Sequence, residues 1–141
     1  MTLRHLMMLM LPLALAGCIN SADAKKADDA TAQFYQQVAA KSYRAIYDGA
    51  ATDLRNSISS DDFVALMQRI DQNMGACGPP VKRFDIHINI TQQGTFRDQG
   101  YTRKCANGDL AETVTIVIRN GEAKLAGYHL GNPAAASAEN E

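Results

Sequence analysis

Asn-Gly occurs twice in the C-terminal half of the chain, at Asn107-Gly108 and Asn120-Gly121. A two-residue type I′ hairpin turn needs positive φ at both central residues, which asparagine and glycine tolerate. Each pair sits between runs that suit strands: Thr95 to Cys105, "DLAETVTIVIR" from Asp109, and "EAKLAGYHL" from Glu122. Upstream, "RFDIHINIT" alternates without a break, with Phe84, Ile86, Ile88 and Ile90 on one face and Asp85, His87, Asn89 and Thr91 on the other. Such alternation predicts a strand with one buried and one wet face. Gln92 to Gly94 turns it into the next, weaker strand, which Gly100 is expected to interrupt with a bulge. The sum is an antiparallel meander of about four strands.

Helical patterning precedes the strands. "SSDDFVALMQRIDQNMG" puts Phe63, Leu66, Met67, Ile70 and Met74 on one stripe. Ser59 or Ser60 suits the N-cap, Asp61 and Asp62 suit the positive end of the dipole, and Gly75 the stop. An earlier helix is expected from Asp28 or Asp29 to Gly49, with Phe34, Tyr35, Val38, Ala39, Ser42, Ala45 and Ile46 on its apolar stripe. Tyr35, Tyr43 and Tyr47 are read as packing residues with one wet end.

The N-terminus reads as an address. Arg4 precedes an apolar run, Leu6 to Ala16, which is shorter than the roughly 20 residues a membrane crossing needs. A charged start, an apolar stretch and small residues at its end describe a secretory signal. Leu15-Ala16-Gly17-Cys18 resembles the bacterial lipobox. The resemblance implies lipidation of the Cys18 thiol and cleavage before it. Ile19 is not the aspartate that retains lipoproteins at the inner membrane, so the implied destination is the outer membrane, facing the periplasm. Three acyl chains would hold firmly, since two membrane signals suffice.

Removing residues 1–17 from 141 leaves 124, enough for one domain with its own core. Arg4 goes with the signal and no acid does, so 14 basic against 15 acidic residues becomes 13 against 15. That balance offers nothing to nucleic acid. Cys77 and Cys105 remain as an even pair in an oxidising compartment. A disulfide is expected between them. A redox or metal pair is the alternative, with no Cys-x-x-Cys and no neighbouring histidine to favour it. The expected organisation is a signal peptide over 1–17, a lipidated, solvated tether over 18–30, an α+β domain over 31–131 and a disordered tail over 132–141.

Helices followed by a curved meander resemble the cystatin-like and nuclear-transport-factor-two-like α+β folds. The stretches "FYQQVAAKSYRAIYD", "SSDDFVALMQRI" and "ETVTIVIRNGEAKLAGYHL" are similar to small secreted bacterial proteins with a Lys-Leu-x-Gly-Tyr final strand. The resemblance implies a long helix in the concave face of the sheet. It implies no reaction, because folds of this kind host isomerases, dehydratases, carriers and interaction modules alike. Chemistry is sparse. His87, His129 and Glu112 are isolated in sequence, and no nucleophile triad, phosphate loop or metal motif appears. Neither cofactor nor metal is expected. Asp85, His87, Asn89, Arg103, Lys104 and Arg119 are expected to share the outer sheet face as a binding surface. The leading expectation is a non-enzymatic module that engages another envelope protein, as an accessory factor or as an immunity protein against a delivered toxin. The alternative is a carrier holding a small apolar ligand between helix and sheet, against Tyr35, Val38, Ile86 or Ile88. A small enzyme is third.

Overall fold

Four strands run in chain order, β1 (Val81–Thr91), β2 (Gly94–Cys105), β3 (Gly108–Arg119) and β4 (Glu122–Leu130). Each is antiparallel to the next, so the sheet order is β1-β2-β3-β4. Four helices precede them: α1 (Ala16–Ala39), α2 (Tyr43–Gly49), α3 (Thr52–Ser57) and α4 (Ser60–Met74). The expected α+β architecture, helices and then a meander, is the one found. The computed structural model describes residues 16–131. Most of the signal peptide and the tail from 132 lie outside the described residues, as do the side chains of Cys18 and of Phe84 to Ile86.

One Asn-Gly pair turns as expected and the other does not: the β2–β3 loop is Ala106-Asn107, with neither residue at positive φ, and Gly108, at φ 134°, already pairs with Cys105. Asn120 and Gly121 both take positive φ, 51° and 80°, as a type I′ hairpin requires. At the β1–β2 turn, Gly94 has φ 131°, and a Cβ built there would sit 2.7 Å from the Ile118 carbonyl oxygen. That contact is with backbone, so it cannot be relieved by a rotamer change. Gly94→Ala is expected to cost about 1–3 kcal/mol, from backbone strain alone. An unchanged urea midpoint would refute this.

The second expected helix is α4, within a residue. The Ser59 hydroxyl accepts the Asp62 N–H at 3.2 Å, and Gly75 ends the helix at φ 70°. Phe63, Met67 and Ile70 are its buried residues. The first expected helix is corrected at both ends. It begins at Ala16, so the segment read as a tether is helical. Its alanines, lysines and aspartates permit this, and Lys25 bonds Asp29 one turn on at 2.6 Å. Packing starts at Ala27, which has no exposed surface. The helix also stops early. Lys41 takes φ 55°, its N–H bonds the Val38 carbonyl, and the Ser42 N–H bonds that of Gln37. This is a Schellman closure with lysine where glycine is usual, which is why the sequence does not announce it.

Against one face of the sheet, α1 contributes Phe34 and Tyr35. They meet Tyr128 and Tyr101, with ring centroids 5.4 and 5.3 Å apart. Val114, Ile116 and Leu125 line the sheet beneath them, and Phe63, Met67 and Ile46 complete the core. Two strand expectations change. β2 pairs with β3 without interruption; the irregularity at Gly100 belongs to β1, whose register shifts between Lys82 and Phe84 opposite it. Nor does the alternation of β1 end in burial: Ile88 is 44% and Ile90 72% exposed. The expected single face is also broken, because register shifts between Lys82 and Phe84 and between Asp85 and His87 set Phe84 opposite Gly100 but Ile88 opposite Arg97.

Candidate functional site

The face of β2 turned toward α1 is polar. Arg97, Gln99 and Arg103 are all buried there, with Tyr101. Register explains the burial, because these positions stand beside Ile116, Val114, Glu112 and Leu110 of β3. Gln99 accepts a hydrogen bond from the Thr31 hydroxyl at 2.7 Å and donates one to Asp28 at 2.7 Å, tying α1 to the sheet. Lys82 reaches the same Asp28 carboxylate at 2.8 Å. Burial raises the Asp28 pKa, but the bonds from Lys82 and Gln99 outweigh it and the net shift is downward.

One turn further along α1 lies the densest polar cluster. The Glu112 side chain has no exposed surface. Arg103 grips it side-on, Nε to Oε2 at 2.8 Å and Nη2 to Oε1 at 2.6 Å. Tyr35 donates to Oε2 at 3.2 Å, and Tyr128 donates to Oε1. Four donors therefore surround the carboxylate, as a buried charge demands. The guanidinium also stacks on Tyr35, 5.3 Å from the ring centroid. Burial, and then the negative charge of Glu112, push both tyrosine hydroxyls far above their usual range. For Arg103 burial acts downward, yet the bonds and charge of Glu112 prevail and its pKa rises. The cluster holds its protons fixed: the tyrosines are permanent donors and the arginine a permanent cation.

Arg103 and Tyr35 are also the floor of a cleft of about 490 Å³. Its walls are the end of α1, the end of α4 and the segment Gly75 to Pro80. Val38, Met67 and Ile70 supply apolar surface, and Lys41, Tyr43 and Asp71 stand at the sides. Lys41 and Asp71 bond each other at 2.8 Å. The Cys77–Cys105 disulfide, expected from the cysteine count, forms and joins the cleft wall to the end of β2.

The expected outer-face surface is partly dispersed. Arg103 is a correction: it is on the helix-covered face, buried, because odd-numbered β2 positions point inward here. His87, Asn89 and Lys104 are exposed on the opposite face. Lys104 is paired with Asp109 at 2.7 Å. Arg119 lies over Phe96 and forks onto Asp53 at 2.6 and 2.9 Å, which pins α3 to the end of β3. The Asp85 side chain falls outside the described residues. His129 is exposed on β4. Of the residues expected beside a ligand, Tyr35 and Val38 line the cleft, whereas Ile88 is on the uncovered edge strand. Glu112, isolated in sequence, is the centre of the cluster.

The bond from Arg119 lowers the Asp53 pKa, against a smaller opposing effect of burial. A carboxyl whose folded pKa lies below its unfolded value of about 3.9 stabilises fully above that value. The contribution is lost as pH falls through the folded pKa. Acid titration of stability below about pH 4 should therefore be shallower in Asp53→Asn than in the parent. Identical slopes would dismiss the pair.

Comparison with protein-family models and with curated proteins finds no match to this chain. Among the described residues, no cluster of histidine, cysteine or acidic side chains is arranged to hold a metal ion. No described helix is long and apolar enough to cross a membrane.

Proposed function

We propose that the chain is an outer-membrane lipoprotein, acylated at Cys18, whose periplasmic α+β domain is a non-enzymatic binding module for another envelope component. The observation that carries this reading is the placement of the cleft on α1. Cys18 lies near the first residue of the helix, and Val38 and Ala39, at its last, line the cleft. At 1.5 Å per residue, about 30 Å of helix separates them. An anchor at one end then presents the cleft away from the bilayer. The chemistry supports binding over turnover, since the buried acid has its lone pairs occupied and its tyrosine neighbours keep their protons.

Two measurements test this. Cys18→Ser should accumulate as unprocessed precursor; normal maturation and membrane retention would remove the anchor. Full-length protein purified from its native membranes should bring a stoichiometric component with it. Ala39→Trp, at an exposed cleft position, should release that component. A clean preparation would overturn the module reading.

A further inference from the structure

We propose that the cleft binds a single carboxylate carried on an apolar body, and that Arg103 holds it with the edge of its guanidinium that Glu112 leaves free. This rests on the binding-module reading and names the chemistry of what is bound.

A guanidinium presents five N–H donors on a planar frame. Glu112 occupies Nε and one donor of Nη2, which is one fork edge. Nη1 makes no protein hydrogen bond among the described residues, and the Tyr128 hydroxyl that interacts with the guanidinium is itself committed to Glu112. The Arg103 side chain is only 9% exposed, and the residue lines the cleft. It is also immobile, held by two bonds to Glu112 and stacked on Tyr35. A second carboxylate therefore meets a fixed, partly desolvated fork, the setting in which charge-assisted bidentate bonds are strongest.

Charge selects the valence of the ligand. Lys41 and Asp71 satisfy each other at the side of the cleft, and Arg103 and Glu112 do so at its floor. The site is neutral before anything enters, so every charge a ligand brings is uncompensated. A carboxylate brings one and a phosphate dianion two, so the monoanion is disfavoured less, and its two oxygens match the fork. An ammonium group finds both nearby acids already taken. The apolar walls, Val38, Met67, Ile70 and Pro79 among them, favour a body of hydrocarbon, and about 490 Å³ accommodates one of modest size.

Two sources carry this chemistry: a small free acid, or the C-terminal residue of a polypeptide. Titration calorimetry on the full-length protein in lipid nanodiscs, with empty nanodiscs as blank, separates them. The probes are hexanoate with hexanamide, and N-acetyl-Leu-Leu with its C-terminal amide. At least one acid should bind about tenfold or more tighter than its amide, because the amide lacks the charge that doubles the bond strength. Ala39→Trp should abolish that binding at unchanged thermal stability. Arg103→Lys, which keeps a cation for Glu112, should narrow the preference. Preference for hexanoate assigns a free acid, and preference for the peptide acid assigns a chain terminus. Equal binding of acid and amide in both pairs, or binding of neither, overturns the proposal. If that result coincides with a stoichiometric partner still co-purifying, the carboxylate site alone is lost. A clean preparation removes the module reading as well.

Discussion

Glu112→Leu is expected to lower the free energy of unfolding by about 3–5 kcal/mol, the range found when one partner of a buried ion pair is deleted. The loss is not the value of the ion pair. It is the cost of leaving Arg103 charged and buried with no counter-charge, plus two tyrosine hydroxyls without their acceptor. The distinction makes a second expectation. In Arg103→Met with Glu112→Leu the orphaned charge is gone, while the Tyr35 and Tyr128 hydroxyls still lack their acceptor. The double variant should recover the part of the loss that the charge causes, so the two substitutions should couple in a double-mutant cycle. Glu112→Gln keeps the shape and one acceptor oxygen, and should fall between, at about 1–3 kcal/mol. Urea midpoints at constant m-value give all three numbers. A cost below about 1 kcal/mol for Glu112→Leu would mean that water reaches the cluster in solution and that Arg103 is not the fixed fork described above.

What could be read in the sequence was local. The cap, stripe and stop of α4, and the hairpin at Asn120-Gly121, are encoded by residues a few positions apart, and they form as expected. The site is encoded by register, which spacing alone does not reveal. In "GTFRDQGYTRKC" both sets of alternate positions carry polar residues, so nothing marks Gln99, Tyr101 and Arg103 as the inward set. They become so only because β3 sets Val114, Glu112 and Leu110 directly across from them. The same limit explains Glu112 itself. It is isolated in sequence, and its four donors come from α1, β2 and β4, between 9 and 77 residues away. For β1 the error runs the other way. The isoleucine alternation is the cleanest signal in the chain, yet register shifts break the single face it predicts, and Ile88 and Ile90 are exposed.

Replacing both Cys77 and Cys105 by serine should cost about 3–4 kcal/mol, the loop-closure entropy of a segment of this length. The two are 28 residues apart, so the bond closes a substantial loop in the unfolded chain. In the folded state the same junction is held several times over. Gly78 N–H bonds the Lys104 carbonyl, Ala106 N–H bonds Ala76, and Asn107 N–H bonds Met74, while the Asn107 side chain caps the Asn73 carbonyl. Those bonds need no sulfur. The stabilisation should thus act through the unfolded state, with the cleft wall from Gly75 to Pro80 keeping its shape in the serine variant. Two readouts separate the alternatives. A fall in the denaturation midpoint with unchanged affinity for the carboxylate probe is the expected pair. Lost affinity under strongly native conditions would show instead that the disulfide shapes the wall. The backbone bonds around it would then be a consequence of the cross-link rather than an independent clamp.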